Sequence, residues 1–262
     1  EPWRPPRGID YIIHAASPAS PGRYMAIPVD TIAANTLGTH RLLELAREHE
    51  ARFLFLSSGT VYGQNPGGNA EIAETDFGPL DPLEPRACYG ESKRLAETLC
   101  AAYHRQYGIH TAIARISHTY GPGLALDDGR VFTDFIADLL ADRDIRIHSD
   151  GMDSRPFCYI TDLIAGLYVV LLSGSPGEAY NLGATRELSV LELARLLLTI
   201  SGRTHLQVRL RTGAPTPAAP RSSGHFDIAK LKKLGWSPMI EPEHGFDRMY
   251  RYYETQHHAR IR

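Results

Sequence analysis

Residues 53–63 read Phe-Leu-Phe-Leu-Ser-Ser-Gly-Thr-Val-Tyr-Gly, an apolar run that ends abruptly in serine and glycine. A short apolar run bounded by turn residues is typical of a strand buried on both faces of a parallel sheet. Side chains just beyond the carboxyl end of such a strand face the crevice in which open sheets bind ligands. The stretch therefore predicts an α/β fold, with Ser57, Ser58 and Thr60 at a candidate site.

Strand and helix patterns alternate on both sides of this stretch, which favours a parallel sheet covered by helices. The elements predicted up to residue 120 are, in order, a buried strand at 9–16, a helix at about 30–48, a strand at 53–57, a helix at 89–107 and a strand at 111–116.

Beyond residue 121 the pattern loosens into helices at about 131–141 and 161–172, joined by short strands and loops. We therefore predict two domains, 1–120 and 121–262, with the segment 159–175 packing back on the first domain. Ser189 and Glu192 form a capping-box pattern that predicts the start of a further helix, and Gly202 suits its end.

Tyr89 and Lys93 stand four residues apart at the start of a predicted helix. Residues at this spacing lie on one helix face, so their side chains can meet. An ammonium group beside a phenol favours the phenolate, which predicts a lowered pKa for Tyr89. A phenol tuned in this way can exchange a proton with an alcohol or a ketone near neutral pH. We predict that Tyr89 transfers the proton, with Lys93, Ser58 and Thr60 as its catalytic partners.

The composition excludes several classes of protein. The 262 residues carry a formal net charge of −2, which leaves no electrostatic footprint for nucleic acid or an anionic membrane. The longest apolar run, 163–172, is too short to span a bilayer. Three cysteines without paired spacing are typical of reduced thiols, so we expect a cytoplasmic protein. No metal site is predicted.

These motifs, in this order, resemble the extended branch of the short-chain dehydrogenase/reductase superfamily, which modifies nucleotide-activated sugars. His-Ala-Ala-Ser-Pro-Ala-Ser-Pro at 14–21 and Asp-Asp-Gly-Arg-Val at 127–131 look like segments of UDP-glucuronate decarboxylases. Asn-Thr-Leu-Gly-Thr at 35–39 resembles the family's N-x-x-G-T motif. The resemblance implies a Rossmann-like parallel sheet with a smaller C-terminal α+β lobe that binds the substrate.

The resemblance also implies a nicotinamide cofactor, NAD with NADP left open, that takes the hydride while the Ser, Tyr and Lys move the proton. The implied cofactor contacts are Ala15, Ala16, Ser17, Asn35, Ser57, Tyr89, Lys93 and Ser117. The sequence contains no Gly-rich turn of the kind that binds a dinucleotide pyrophosphate. We therefore expect the Rossmann-like domain to be N-terminally incomplete, by two βα units.

The substrate that the resemblance implies is a nucleoside-diphosphate sugar. Arg155 corresponds to the family arginine that grips the diphosphate, a task that suits the forked donors of a guanidinium group. Arg130 and Arg221 are further candidates for the same anion. His118 stands where the family has Asn, and an imidazole can still donate to a phosphate oxygen. Family members often pair through the helices that match 30–48 and 89–107, so a homodimer is expected.

The resemblance is less specific for the reaction. Sugar 4,6-dehydratases carry Thr-Asp-Glu and decarboxylases Thr-Ser-Glu where this chain has Ser58-Gly59-Thr60, so their carboxylate is absent. Ser-x-Thr is instead the pattern of 4-epimerases, which favours a 4-epimerase or a 4-ketoreductase acting by hydride transfer at sugar C4. UDP-glucuronate decarboxylation, sugar 4,6-dehydration and a catalytically silent nucleotide-sugar-binding homologue stay open as alternatives.

Overall fold

A computed structural model describes residues 8–63, 71–210 and 224–261 of the chain. Its strands are β1 Tyr11–His14, β2 Arg52–Ser58, β3 Glu71–Ile72, β4 Thr111–Ile116, β5 His118–Tyr120, β6 Ile145–Ile147, β7 Ser154–Tyr159, β8 Glu178–Leu182, β9 Glu187–Ser189, β10 Val208–Leu210 and β11 His225–Phe226. Its helices are α1 Pro21–Ala26, α2 Pro28–His49, α3 Ala87–Tyr107, α4 Val131–Leu140, α5 Ile160–Ser173, α6 Val190–Ser201, α7 Ala229–Lys232 and α8 Pro242–Ile261, with a 3₁₀ turn at Gly59–Tyr62.

The main sheet has the order β1-β2-β4-β8, and each neighbouring pair of strands is parallel. Side chains alternate between the two faces of a strand, so Phe53 and Phe55 of β2 pack under α2 and α3. Leu54 points the other way, into the core that α5 covers. The predicted α/β fold with a parallel sheet is confirmed. Parallel strands bring their carboxyl ends to one edge of the sheet, and β2 and β4 carry the candidate residues there.

β1 differs from the prediction of a buried strand at 9–16. Ile12 and His14 are buried, whereas Tyr11 and Ile13 are 50% and 46% exposed. β1 is an edge strand of the described sheet, and its buried side chains pack on the α2 side. The prediction was wrong on burial because an apolar run does not reveal whether both of its faces are covered.

A second core lies among α4, α6, α8 and a three-stranded sheet of order β5-β7-β9. β5 and β7 are parallel, while β7 and β9 are antiparallel. The chain returns to the main sheet through α5, which packs on β2 and β4, and through β8, which pairs with β4. The predicted return segment 159–175 therefore coincides with α5, and β8 lies just beyond it. The domain boundary at 120/121 stays a prediction.

The start of α6 has the predicted capping geometry. Ser189 Oγ accepts a hydrogen bond from the Glu192 amide at 3.1 Å, and the Glu192 carboxylate accepts one from the Ser189 amide at 2.8 Å. Gly202 ends the helix in the left-handed region, with φ of 67°. Within the described ranges, no helix combines the length and apolarity needed to cross a membrane.

Candidate active site

The carboxyl end of β2 and the first turns of α3 bring Ser58, Tyr89 and Lys93 together, and we call these three residues the proton-transfer wall. The Ser58 hydroxyl group lies beside the Tyr89 phenol and acts to lower its pKa. Lys93 Nζ donates to the carbonyl oxygen of Leu56 at 2.7 Å and lies 5.7 Å from the centroid of the Tyr89 ring. Thr60 is exposed in the 3₁₀ turn, where its amide donates to Ser58 Oγ at 3.3 Å.

The pKa of Tyr89 is raised, so the predicted lowering by Lys93 is wrong for this structure. Burial is the main cause, because Tyr89 is only 7% exposed and its phenolate would lose solvation. The Ser58 hydroxyl group and the charge of Arg130 act in the opposite direction. Lys93 is not among the groups that shift this pKa, and its ammonium group donates to a main-chain oxygen of β2.

Burial also acts on Lys93, which is 3% exposed. It lowers the pKa of the ammonium group to about 8, while the nearby Glu97 and Cys100 act to raise it. Nζ lies 4.6 Å from the centroid of the Phe55 ring, an arrangement that stabilises a cation. Lys93 is therefore a buried cation held between a carbonyl oxygen and an aromatic face.

Three residues outside β2, namely Asn35, Ser92 and Tyr24, fix the position of Tyr89. Asn35 Nδ2 donates to Ser92 Oγ at 2.9 Å, and Ser92 Oγ donates to the Tyr89 carbonyl oxygen at 3.0 Å. Tyr24 of α1 stacks on the Tyr89 ring, with centroids 4.9 Å apart and an interplanar angle of 9°. Sequence reasoning missed Tyr24, and the only available signal was an aromatic residue shortly after the Pro-rich segment.

The residues predicted to contact the cofactor occupy varied environments. Ala15 and Ala16 are exposed at the carboxyl end of β1, next to the partly buried Ser17. Ser57 is buried and donates its hydroxyl to Glu97 at 2.5 Å. Ser117 Oγ is buried without a hydrogen-bond partner in the described residues. Small exposed residues and an unpaired buried hydroxyl fit the nicotinamide end of a dinucleotide; the cofactor contacts themselves stay predictions.

β5 and β7 bring His118 and Arg155 together, and Arg130, at the N-cap of α4, acts on His118 by its charge. We call these three predicted substrate residues the anion wall. The Arg155 guanidinium donates to His118 Nε2 at 3.1 Å, so the ring proton of a neutral His118 is on Nδ1. Burial, then the charges of Arg155 and Arg130, lower the pKa of His118 to about 4. At neutral pH the imidazole is thus uncharged and presents one N–H donor.

Within the anion wall, Arg130 acts by its charge on Tyr89 of the proton-transfer wall as well as on His118. It pairs with Asp128, with 2.9 Å between Arg130 Nε and Asp128 Oδ2. The remaining substrate candidate, Arg221, is outside the described residues. Two cationic side chains and one imidazole donor can together hold a diphosphate.

A buried polar network beneath the proton-transfer wall was also missed by sequence reasoning. Glu97 binds Arg115 with 2.7 Å between Oε2 and the guanidinium, and Arg115 donates to the Tyr62 hydroxyl at 3.0 Å. Tyr62 in turn donates to Asn181 Oδ1 of β8 at 2.5 Å. The signal in the sequence was the position of Glu97, four residues after Lys93 on the same face of α3.

Comparisons with known proteins agree with this architecture. Residues 6–183 match the model of the NAD dependent epimerase/dehydratase family. The chain is 37% identical to UDP-glucuronic acid decarboxylase 1 of Xenopus tropicalis over 254 residues, which is 96% of this chain and 59% of that protein. It is 39% identical to UDP-glucuronic acid decarboxylase 3 of Arabidopsis thaliana over 242 residues, which is 92% of this chain and 69% of that protein. The chain thus spans about three fifths to two thirds of the length of these relatives.

Solved structures of sugar epimerases have the same fold. UDP-glucose 4-epimerase of Thermotoga maritima superimposes with a TM-score of 0.82 at 26% identity, over 94% of this chain and 78% of that chain. UDP-glucuronic acid 4-epimerase of Bacillus cereus, solved with NAD, gives a TM-score of 0.77 at 28% identity, over 94% of this chain and 73% of that chain. The match to the family model covers well over half of the sequence and includes both walls, so this chain belongs to the NAD dependent epimerase/dehydratase family.

Proposed function

We propose that this chain carries the active site of an enzyme that modifies a nucleoside-diphosphate sugar by NAD-dependent hydride transfer at C4, as a 4-epimerase or a 4-ketoreductase. The Ser58 hydroxyl group beside the Tyr89 phenol, next to a buried Lys93, supports the proposal most directly. Two neighbouring hydroxyl groups can together bind one substrate oxygen and exchange a proton with it.

The proton steps can be assigned to atoms of this chain. Tyr89 is protonated at neutral pH, because its pKa is raised, and it therefore donates its phenolic proton to the oxygen of a C4 ketone. Ser58 supplies a second hydrogen bond to the same oxygen. In the oxidative direction, Tyr89 takes the proton from the C4 hydroxyl group, and the charge of Arg130 favours the phenolate that this requires.

The nicotinamide end of NAD would lie along Ala15, Ala16 and Ser117, close to Tyr89 and Lys93. NAD, when bound, supplies the acceptor and donor of the hydride at C4. The exposed methyl groups at the end of β1 leave its backbone open to a flat ring, and Lys93 is a buried cation close to the Tyr89 ring. These features support NAD at this site, as does the NAD bound to the Bacillus cereus epimerase.

The anion wall supports a sugar nucleotide as the substrate. Arg155 is exposed, and among the described residues its recorded partner is the neutral His118 rather than a carboxylate. A diphosphate would receive charged hydrogen bonds from Arg155 and Arg130 and a neutral one from His118 Nδ1. UDP-glucose bound to the Thermotoga maritima epimerase is a ligand of this chemical class.

UDP-glucuronate decarboxylation is the second candidate, and the curated relatives favour it. They are decarboxylases at 37% and 39% identity over most of this chain. Oxidation at C4 would convert the sugar acid into a β-keto acid, which can lose carbon dioxide without a further base. Thr60 counts against efficient decarboxylation, because its hydroxyl group stands where those enzymes carry a carboxylate.

The proposed function is tested by incubating the protein and NAD with a panel of UDP- and TDP-sugars and analysing the products by chromatography and mass spectrometry. A new isomer of unchanged mass identifies an epimerase, and a gain of two hydrogens from a 4-keto sugar with NADH identifies a ketoreductase. Release of carbon dioxide from UDP-glucuronate selects the second candidate. Any such product must disappear in Tyr89→Phe; product formation that persists would overturn the assignment of the site.

We also propose that the protein forms a homodimer through α2 and α3. Val29 and Leu37 of α2 are 75% and 58% exposed, and Leu95 of α3 is 49% exposed, so apolar side chains remain uncovered on these helices. Sedimentation at micromolar concentration should show a dimer that Leu95→Glu dissociates. The matched control is Leu172→Glu on α5, which is 50% exposed on the opposite face of the sheet. A monomeric wild type contradicts this proposal.

A further inference from the structure

Glu97 is a buried carboxylate placed one helical turn beyond Lys93. It is 9% exposed, and it accepts hydrogen bonds from Ser57 Oγ at 2.5 Å and from Arg115 Nε at 3.1 and 3.2 Å. A third bond from the Arg115 guanidinium measures 2.7 Å. Burying a carboxylate is costly unless it is fully paired, and these partners meet that requirement.

Three residues of α3 hold three consecutive residues of β2. Tyr89, Lys93 and Glu97 follow one another at intervals of four, so they share one face of the helix. Tyr89 lies beside the Ser58 side chain, Lys93 donates to the Leu56 carbonyl oxygen, and Glu97 accepts from the Ser57 hydroxyl group. Glu97 is therefore the last of three contacts that fix the strand end to the helix.

Glu97 also determines the charge around Lys93. Burial lowers the pKa of Lys93, and the negative charge of Glu97 is the largest effect that raises it. The groups that surround the Lys93 side chain are Tyr89, Glu97 and Cys100 of α3, His14 of β1, the Phe55 ring and Leu56 carbonyl of β2, and, through Glu97, Arg115 of β4. Of these groups, Glu97 is the carboxylate.

We propose that Glu97 is a positioning residue for the proton transfer: it holds the β2 end in register with Tyr89 and keeps Lys93 in its ammonium form. The inference rests on the proposed function for its kinetic consequences but not for its electrostatic ones. Glu97 lies behind the wall and touches Ser57 and Arg115, so its removal should change the turnover number more than the Michaelis constant.

The electrostatic half of the proposal, that Glu97 keeps Lys93 in its ammonium form, is tested without substrate. The experiment is an NMR titration of protein labelled only at lysine. The chain has Lys93 and three lysines near the C-terminus, so the Lys93 signal is assigned by its loss in Lys93→Arg. In Glu97→Gln the midpoint of the Lys93 titration should fall by roughly one pH unit. The exposed Glu48→Gln is the control and should leave it unchanged. A folded Glu97→Gln with the wild-type midpoint overturns the electrostatic half.

The geometric half of the proposal, that Glu97 holds the β2 end in register with Tyr89, is tested by Ser57→Ala. This variant removes the hydrogen bond between Ser57 and Glu97 and keeps the charge of Glu97. Its turnover number should fall about tenfold, with unchanged Michaelis constant and Lys93 midpoint. Should Glu97→Gln not fold, Glu97→Asp keeps the charge beside Arg115 but withdraws it from Ser57, and should behave like Ser57→Ala. Wild-type turnover in either variant overturns the geometric half. If no sugar nucleotide is converted at all, the proposed function fails, while the lysine titration still decides the role of Glu97.

Discussion

The two walls of the candidate site differ in how their polar groups are held. In the proton-transfer wall, Tyr89 lies beside the Ser58 hydroxyl group and Lys93 donates to a carbonyl oxygen, so each group has a neighbour supplied by the fold. In the anion wall, Arg130 pairs with Asp128, whereas Arg155 is exposed and donates to an uncharged imidazole. The difference indicates that the fold itself forms the proton-transfer geometry, whereas no carboxylate recorded among the described residues offsets the positive charge of Arg155.

Tyr89→Phe should cause the largest loss of turnover, and it tests the role of the proton-transfer wall. The change removes one hydroxyl group but preserves the ring that stacks on Tyr24, so the fold should survive. Turnover should fall by about 10²–10⁴-fold, the usual effect of losing a positioned proton-transfer group. Steady-state kinetics and circular dichroism measure the two effects. Tyr107→Phe, at an exposed position of the same helix, is the control, and equal rates in the two variants would contradict the assignment.

Arg155→Gln tests the role of the anion wall, where no carboxylate recorded among the described residues offsets the charge of Arg155. The variant loses charged hydrogen bonds to a diphosphate, so the Michaelis constant should rise about 10- to 100-fold, while turnover changes little. Arg146→Gln removes an exposed arginine from β6 and serves as the control. A Michaelis constant that remains at the wild-type value in Arg155→Gln would show that the substrate anion binds elsewhere.

His118 sharpens the comparison because it touches Arg155 without carrying charge. Its pKa of about 4 predicts a Michaelis constant that is flat between pH 6 and 8, since the imidazole stays neutral throughout that range. His118→Asn retains an acceptor and a donor and should change the constant only a few-fold, whereas His118→Leu leaves Arg155 without its acceptor and should raise it more. A step near pH 6.5 that disappears in His118→Asn would show that the imidazole titrates normally.

The sequence predicted the positions of strands and helices better than the environments of their side chains. The apolar run of β2 and the capping box of α6 are local patterns, and the structure places both elements within a residue or two of the prediction. The contact between Ser58 and Tyr89 followed from the strand end and the helix start. The raised pKa of Tyr89 could not be predicted from the sequence, because this shift depends on burial. Tyr24, which stacks on the Tyr89 ring, lies far from Tyr89 in the sequence.

The buried hydrogen bonds that join different strands and helices could not be predicted from local sequence patterns either. Arg115 binds Glu97 across 18 positions in the sequence, and Tyr62 binds Asn181 across 119. Periodicity shows which face of an element is apolar, but it does not show which distant polar group will complete a buried pair. The spacing of Glu97 from Lys93 shows that they share one face of α3, but the partners of Glu97 became visible only once α3 was placed on β2 and β4.

His14 lies behind the proton-transfer wall and differs from that wall because its ring nitrogens lack well-formed partners. Its substitution gives the smallest effect that we predict. The residue is 3% exposed behind Lys93, and neither ring nitrogen makes a well-formed hydrogen bond within the described residues. Burial, followed by the charge of Lys93, lowers the pKa of His14 to about 4, with partial opposition from the Ala34 carbonyl. The unfolded chain has a histidine pKa of about 6.5. Between those two values the unfolded state binds the extra proton, so the protein loses stability as the pH falls from about 6.5 to about 4.

His14→Leu should remove part of this acid sensitivity. Wild type should lose roughly 1–2 kcal/mol of unfolding free energy through His14 between pH 7 and pH 5, and the variant should lose less by that amount. Urea unfolding at the two pH values measures the difference. His118 has a similarly lowered pKa, so the slope is reduced rather than abolished. The control is His148→Gln at an exposed position, which should keep the wild-type slope. Identical pH slopes in wild type and His14→Leu would mean that His14 is not held neutral by its burial behind Lys93.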